Sequence, residues 1–501
     1  MSGEMLLILA LIVPFSAAAL IPLFHDAPNA RETVTLTAAA VLFATVLALL
    51  TRVLAGERPA LGGFEVATGL DLGLSIEPLG MLFATVASGL WILNSIYSIG
   101  YMRGNKEPRQ TSFYVCFAVA IGSTMAIAFA ANLFTLFIGY EALTLSTYPL
   151  VTHKGTEEAK RAGRVYLLLL LGTSMVLLLP AIVWTWYLAG TVAFTQGGIL
   201  AGMASPATIG VLLALYVFGI GKAALMPMHF WLPAAMVAPT PVSALLHAVA
   251  VVKAGVFTVV KVVVYIFGVD FLTETGASNW LVYVASFSLI AASLVALTRD
   301  NLKARLAYST VSQLAYVVVG AALATPMALI GGGMHIAMHA AAKITLFFCA
   351  GAIYVATHKT EISDMAGIGR VMPFTMAAFF VASLSVIGLP PLGGTWSKWF
   401  IALGALDAGH AFVVAVLMIS SLLNVAYLMP IVARGYFLPP PGTKPGARVA
   451  IQEAPLACVV PLCVTALLTF VLFFQAGAIE ALLSGMIGPA GPFEEIAREG
   501  F

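Results

Sequence analysis

Fourteen apolar runs, each long enough to cross a lipid bilayer, succeed one another along this 501-residue chain. Such runs leave few folds open. Inside a bilayer every backbone polar group must be satisfied within the protein, which an α-helix does by itself over about 20 residues. The runs lie at about 5–24, 32–52, 77–99, 111–130, 132–152, 164–188, 208–237, 240–266, 278–297, 303–323, 326–356, 371–405, 411–434 and 454–476. A transmembrane β-barrel would show alternating segments of about 10 residues instead. Charged residues are 9% of the chain, against about 25% in soluble domains, and the mean hydropathy is +1.01. The expected fold is therefore an all-α membrane protein with fourteen transmembrane helices. It forms one integral membrane domain over 1–501, without a separate soluble domain.

The basic residues test this count, because cytoplasmic loops carry an excess of Lys and Arg. Sixteen of the 24 lie in loops after odd-numbered spans, among them Arg31, Arg103, Lys154, Arg299, Lys359 and Lys444. Only Arg52, Arg58 and Arg498 fall on the other side, and five lie inside spans. One miscounted helix would scramble that asymmetry. Both termini are expected outside the cytoplasm. The first run lacks a basic leader and carries Glu4, so it reads as a first membrane helix and not as a cleaved signal. The loops 53–76, 189–207 and 435–453 are the longest connections, and 477–501 is weakly amphipathic and expected on the surface.

Several function classes fall away. The net charge of +2 comes without a basic, aromatic-interleaved patch, so no nucleic-acid partner is expected. Cys116, Cys349, Cys458 and Cys463 sit in apolar runs without CxxC spacing, which suits small buried hydrophobes. Gly221-Lys222 resembles the end of a phosphate loop, but the required earlier glycine is Tyr216. Neither an iron–sulfur pattern nor a dinucleotide fingerprint is present in the sequence.

What remains unusual is the charge kept inside the spans. Glu141 is the deep carboxylate, and Lys222, Lys253, Lys261, Lys343 and Lys398 are intramembrane lysines. His229, His247, His335 and His339 accompany them. Each such charge costs about 2.5–3.5 kcal/mol on insertion scales, which makes function the default reading and paired structural charges the alternative. A buried amine is held as ammonium only while a neighbouring carboxylate supports it, so moving one charge can pass a proton to the next site. Lys261 stands near a helix end, within snorkelling reach of the interface, and is assigned no special role.

Two spans look broken. The seventh reads YVFGIGKAALMPMHFWLPAAM, with Pro227 just after Lys222; the twelfth reads VIGLPPLGGTWSKWF, with Pro390-Pro391 just before Lys398. Broken backbone is tolerated in a membrane where it lines a cavity or is covered by protein. Breaks five spans apart, each beside a lysine, predict two five-helix repeats: helices 4–8, about 111–266, and helices 9–13, about 278–434. An odd number of helices makes the second copy inverted, which is transporter architecture.

His335, His339 and Lys343 fall at spacings of four in HIAMHAAAK, which places them along one helix face. Two histidines one turn apart could hold zinc or haem. Zinc would need further ligands, and bis-haem ligation normally draws on two helices. A hydrogen-bonded structural pair and a proton relay remain, and the relay is preferred because His titrates near pH 6.5.

Residues 220–257 read IGKAALMPMHFWLPAAMVAPTPVSALLHAVAVVKAGVF. This strongly resembles the antiporter-like subunits shared by respiratory complex I, Mrp-type cation/proton antiporters and membrane-bound hydrogenases, through the pattern PxHxWLPxAxxxPTPVSALLHA. The resemblance covers roughly 70–475. It implies fourteen helices with discontinuous helices 7 and 12. It also implies that Glu141 and Lys222 form a central ion pair and that Lys253 continues the path with His247 beside it. His335, His339 and Lys343 would connect to Lys398 at the second half-channel. Within the family, Lys253 together with Lys398 in about 500 residues resembles the D subunit of Mrp antiporters. Complex I subunit L typically lacks the first lysine and carries a long lateral helix, and subunit M usually has glutamate at the second. The hydrogenase equivalent is close behind. The implied activity is proton translocation in a multi-subunit Na+/H+ antiporter of the inner (plasma) membrane, by a subunit that is not itself an enzyme and carries no cofactor or metal. The alternative is a proton-pumping subunit of a complex I-like NADH:quinone oxidoreductase or membrane-bound hydrogenase. Either way its partners are other membrane subunits, lipid, H+ and, for the antiporter, Na+.

Overall fold

The computed structural model describes residues 1–67, 70–442 and 450–487, except for the side chains of Ala67 and His247. Helices fall inside every apolar run. α1 (Gly3–Leu20), α2 (Pro28–Leu54), a hairpin of β1 (Ala60–Ala67) and β2 (Leu70–Ser75), α3 (Pro78–Gly104), α4 (Gln110–Ala128) and α5 (Leu133–Val151) come first. α6 (Glu157–Thr173) continues through a π-turn into α7 (Leu179–Ala189), and α8 (Pro206–Gly219) breaks before the short α9 (Trp231–Ala234). α10 (Thr240–Ala244) leads through a second π-turn to α11 (Val251–Val262), then a third and the bent α12 (Val269–Thr275). α13 (Asn279–Leu297), α14 (Leu302–Ala322) and α15 (Pro326–Thr357) follow. α16 (Ile368–Val371), α17 (Pro373–Ile387), α18 (Gly394–Asp407), α19 (Ala411–Phe437), α20 (Leu456–Phe474) and α21 (Ala476–Ser484) complete the described order.

Local chemistry sets these boundaries. Asn132, Thr156, Ser205 and Asn301 accept a backbone N–H of the first turn that follows them, supplying caps to α5, α6, α8 and α14. Proline opens α2, α3, α8, α15 and α17, where its missing N–H is harmless. Among the described residues, nine helices are long and apolar enough to span a bilayer, and α11–α12, bent by 80°, would make a tenth. The protein is thus a multi-pass helical bundle. α15, 32 residues long with its spanning stretch wholly buried, is its central helix, surrounded by α3, α10, α14, α17, α18 and α20.

Three expectations change. The 53–76 connection is not a loop: its second half pairs as the β1–β2 hairpin, with Ala60 opposite Ser75 and irregularities after Leu61 and Glu65. Ser75 N–H donates to Phe129 O (2.8 Å) and Ala131 N–H to Gly73 O (3.0 Å), so the hairpin seals the α4–α5 connection. The 189–207 segment adds Leu133 N–H to Val192 O (3.0 Å) and Ile199 N–H to Ile266 O (2.9 Å) on the same end. Arg31 is not in a loop but in the first turn of α2, buried beside Glu32, which ion-pairs Arg103 of α3 at 2.5 Å. Of the 477–501 stretch, 477–484 is helical with Ile479, Glu480 and Leu483 buried. Residues 488–501, like Lys444, Arg448 and Arg498 of the charge count, lie outside the described residues.

Candidate functional site

The first break builds a lysine pocket. α8 ends at Gly219, a single tight turn holds Gly221–Ala223, and Ala224 takes φ +52°. Trp231 Nε1 donates to Gly221 O at 2.9 Å and so pins the open segment. α11 crosses at the break through Gly255, where a Cβ would lie 2.2 Å from Ala223 N and 2.3 Å from Lys222 C. Lys222 is fully buried. Its Nζ donates to Tyr140 O (2.7 Å) and Thr144 Oγ1 (2.5 Å) of α5 and sits 3.1 Å from the Tyr140 ring centroid.

Glu141 adjoins that site on α5. Both its carboxylate oxygens are buried without a donor in hydrogen-bond geometry, the Ser174 hydroxyl being the polar group beside them. Lys222 is the charged group acting on it, and Glu141 the one acting on Lys222. Yet no ion pair within 4 Å closes between them among the described residues. The central ion pair implied by the resemblance is therefore open here, because the ammonium is drawn to Tyr140 O and Thr144 instead. An ionised buried carboxylate without a donor is costly, so Glu141 depends on Lys222 whenever it is charged.

The centre is a contact between the two halves of the chain. Lys253 Nζ of α11 lies 2.5 Å from His339 Nδ1 of α15, both buried. His339 stacks on His335 with centroids 5.5 Å apart and planes within 5°. His335 Nδ1 meets Ser397 Oγ at 2.9 Å, and its ring stacks on Tyr316 at 5.3 Å. Lys398 Nζ in turn lies 4.8 Å from the Tyr316 ring centroid. The four-residue spacing on α15 thus brings both histidines into one file.

At the second break, α17 ends at Ile387 and Gly388 takes φ +94°. Its last carbonyls lose their helical partners. Lys398 Nζ fills the gap, donating to Val386 O and Ile387 O (2.8 Å each) and to Ser421 Oγ (3.2 Å). The negative end of a half-helix suits an ammonium. Lys343 Nζ points elsewhere, donating to Ser309 Oγ (2.6 Å) and Leu306 O (3.3 Å) of α14.

Of two cavities, one adjoins the file at Lys398 and the other is lined by none of its residues. One of about 170 Å³, at the end with the basic loops, is lined by Tyr101, Lys154, Thr240, Asn301, Lys303 and Tyr354. The other, about 670 Å³, lies beside Lys398 among Pro390, Trp399, Leu417, Met418 and Ser421.

Of the expected site residues, the structure joins Lys253 to His339 and His335, and sets Lys398 against Tyr316. Glu141 and Lys222 form a separate cluster sharing no hydrogen-bond partner with Lys253 among the described residues. The His247 side chain lies outside the described residues. Lys261 does not snorkel: it is fully buried, donates to Ala130 O (2.8 Å), pairs with Glu77 at 3.4 Å and lies 4.3 Å from the Phe194 ring centroid. Sequence reasoning missed Thr144, Ser309, Tyr316, Ser397 and Tyr427. Neutral hydroxyls are common in apolar helices, and their only signal is the residue they meet from another helix.

Comparison with known proteins follows the same lines. Residues 130–424 match the family model described as NADH:quinone oxidoreductase/Mrp antiporter, TM. The chain is 33% identical to NADH-quinone oxidoreductase subunit N of Desulforudis audaxviator, covering 92% of this chain and 93% of that protein. A probable K(+)/H(+) antiporter polypeptide of Rhizobium meliloti is 29% identical over 92% of this chain but only 47% of its own length. In fold, the chain resembles one in the Mrp complex of Dietzia (TM-score 0.84, 21% identity, 97% of each chain). It equally resembles one in an archaeal membrane-bound sulfane sulfur reductase (TM-score 0.85, 22% identity, 97% of this chain and 98% of that one).

Proposed function

The chain belongs to the NADH:quinone oxidoreductase/Mrp antiporter membrane family, and we propose that it is the proton-carrying subunit of a multi-subunit Mrp-type Na+/H+ antiporter. The observation that carries this reading is the 2.5 Å contact of Lys253 with His339, a buried base against a buried base across two helices. A proton shared there has two acceptors of comparable use, and the stacked His335 extends the file towards Lys398. Glu141 and Lys222 act as the charge-coupled pair that loads it: an ammonium leaving Tyr140 O for Glu141 changes the field at Lys253. The cavity at the basic end supports entry there, and the cleft at Lys398 supports release.

The interrupted α8–α9 and α17–α18, each beside a lysine, support the fourteen-helix, two-repeat architecture with inverted units at about 111–266 and 278–434. The presence of lysine at both 253 and 398 favours the Mrp type. The full-length likeness to subunit N favours a second reading, a proton pump driven by a redox partner.

The test uses the assembled complex in inverted vesicles. Glu141→Ala and Lys222→Ala are each expected to abolish ΔpH formation. A sodium jump that drives ΔpH supports the antiporter, and dependence on an electron donor supports the second reading. Undiminished transport in both variants overturns the proton-carrying role.

A further inference from the structure

Lys343 is the one member of the HIAMHAAAK triad that leaves the histidine file. Its Nζ donates to Ser309 Oγ (2.6 Å). Ser309 Oγ lies 2.7 Å from Tyr427 Oη, which in turn donates to Asn424 Oδ1. Asn424 Nδ2 donates to Val386 O (3.4 Å), the carbonyl that Lys398 grips. Ser309, Tyr427 and Asn424 are all fully buried. A second connection thus runs from Lys343 to Lys398 across α14, α19 and α17.

Protons cannot pass along the whole of it. An amide neither releases nor takes up a proton at physiological pH, so Asn424 ends any hop. Orientation can pass. An ammonium at Lys343 forces Ser309 Oγ to accept, so Ser309 O–H turns to Tyr427 and Tyr427 O–H to Asn424 Oδ1. A neutral Lys343 offers a lone pair. Ser309 then donates to Nζ, Tyr427 donates to Ser309, and Asn424 Oδ1 loses the Tyr427 donor, leaving the Tyr316 hydroxyl as the other polar group beside it. The added negative potential beside the Val386 carbonyl favours an ammonium at Lys398.

We propose that Ser309, Tyr427 and Asn424 are positioning residues that couple the charge of Lys343 to that of Lys398 by reversing their hydroxyl orientation, without carrying the proton. This rests on the proton-carrying reading above. Other groups face the chain: Lys253 from α11, His339 on α15, Arg305 and Tyr316 from α14, and Lys398 from α18. α17 has no titratable side chain. Arg305 Nη1 holds Tyr427 O at 3.0 Å and fixes the backbone, leaving the phenol free to choose its acceptor.

The experiment compares the pH profile of ion-driven ΔpH in vesicles of the assembled complex for wild type, Tyr427→Phe, Ser309→Ala and the double variant. A hydrogen bond to a charged group is worth roughly one to two pH units, so Ser309→Ala, which removes one from Lys343, is expected to move the alkaline limb by about one unit, and Tyr427→Phe, one bond further along, to move it in the same direction by less. Because both cut one chain, the double variant moves it no further than the larger single. Ser309→Thr keeps the hydroxyl and the profile. Profiles superimposable on wild type, or shifts that add, overturn the proposal. Ser309→Ala is a small change on another helix and decides the matter if Tyr427→Phe does not assemble. Glu141→Ala in the same preparation separates the failures: transport surviving there removes the proton-carrying reading, whereas its loss with unchanged Ser309→Ala profiles removes only this coupling.

Discussion

Replacing His339 by alanine takes from Lys253 its one side-chain hydrogen-bond partner among the described residues, at 2.5 Å, in a site without exposure. A hydrogen bond to a charged group contributes about 1.5–3 kcal/mol, and its loss leaves the buried ammonium without that support. At about 1.36 kcal/mol per pH unit, the proton affinity of Lys253 falls by roughly one to two units. At an assay pH above the titration of Lys253 its charged population then falls about 10- to 100-fold, and turnover falls with it if the charge passes this point. His339→Gln separates the roles, since the amide keeps an acceptor but cannot carry a proton. The expected order of initial ΔpH rates in inverted vesicles is wild type far above Gln and Gln above Ala, at equal assembly on a native gel. A rate for His339→Ala within twofold of wild type refutes the reasoning. Equal rates for Gln and wild type refute the relay while keeping the hydrogen bond.

Other perturbations reach the scaffold. Glu77→Gln leaves Lys261 buried without its carboxylate; removing one partner of a buried pair costs about 3 kcal/mol, expected as a lower melting temperature in detergent. Gly255→Leu places a side chain into backbone atoms of the first break, 2.2 Å from Ala223 N at its Cβ, and is expected to prevent stable expression, whereas Ala254→Gly is tolerated. His153, just past α5, is pushed from 6.5 to about 4 by burial and then by the Arg109 guanidinium, whose Nη2 donates to His153 O. Its folded state therefore resists the proton that the unfolded chain accepts, so stability present above pH 6.5 is lost as pH falls towards 4; His153→Asn should flatten that part of a melting-temperature profile. Cysteines placed at Lys160 and Lys359 should react with an impermeant reagent from one face and one at Arg58 from the other; labelling from a single face contradicts the proposed topology.

That the chain is a multi-pass helical membrane protein was legible because length and apolarity are properties of consecutive residues. The breaks were legible for the same reason: Pro227 and Pro390-Pro391 are local obstacles to a helix. The buried charges declared themselves by cost. What could not be read is where each charge points. Lys343 looks identical in spacing to His335 and His339, yet it turns to Ser309, because the acceptors within its reach belong to α14. Lys261 read as a helix-end residue, but its partners Glu77 and Ala130 come from distant parts of the chain, the second 131 residues earlier. The β1–β2 hairpin was hidden by its glycines, which read as loop at Gly62-Gly63 and Gly73. Tyr427 and Ser309, 118 residues apart, acquire meaning only when α14 and α19 meet.

Lys253 is where the account is most exposed, since it stands at the contact of the two halves. Lys253→Met keeps the volume and deletes the charge. Measured as ΔpH in inverted vesicles of the assembled complex, proton transport is expected to fall below about a tenth of wild type while the complex remains intact. An intact complex that transports protons at the wild-type rate contradicts a path through this axis.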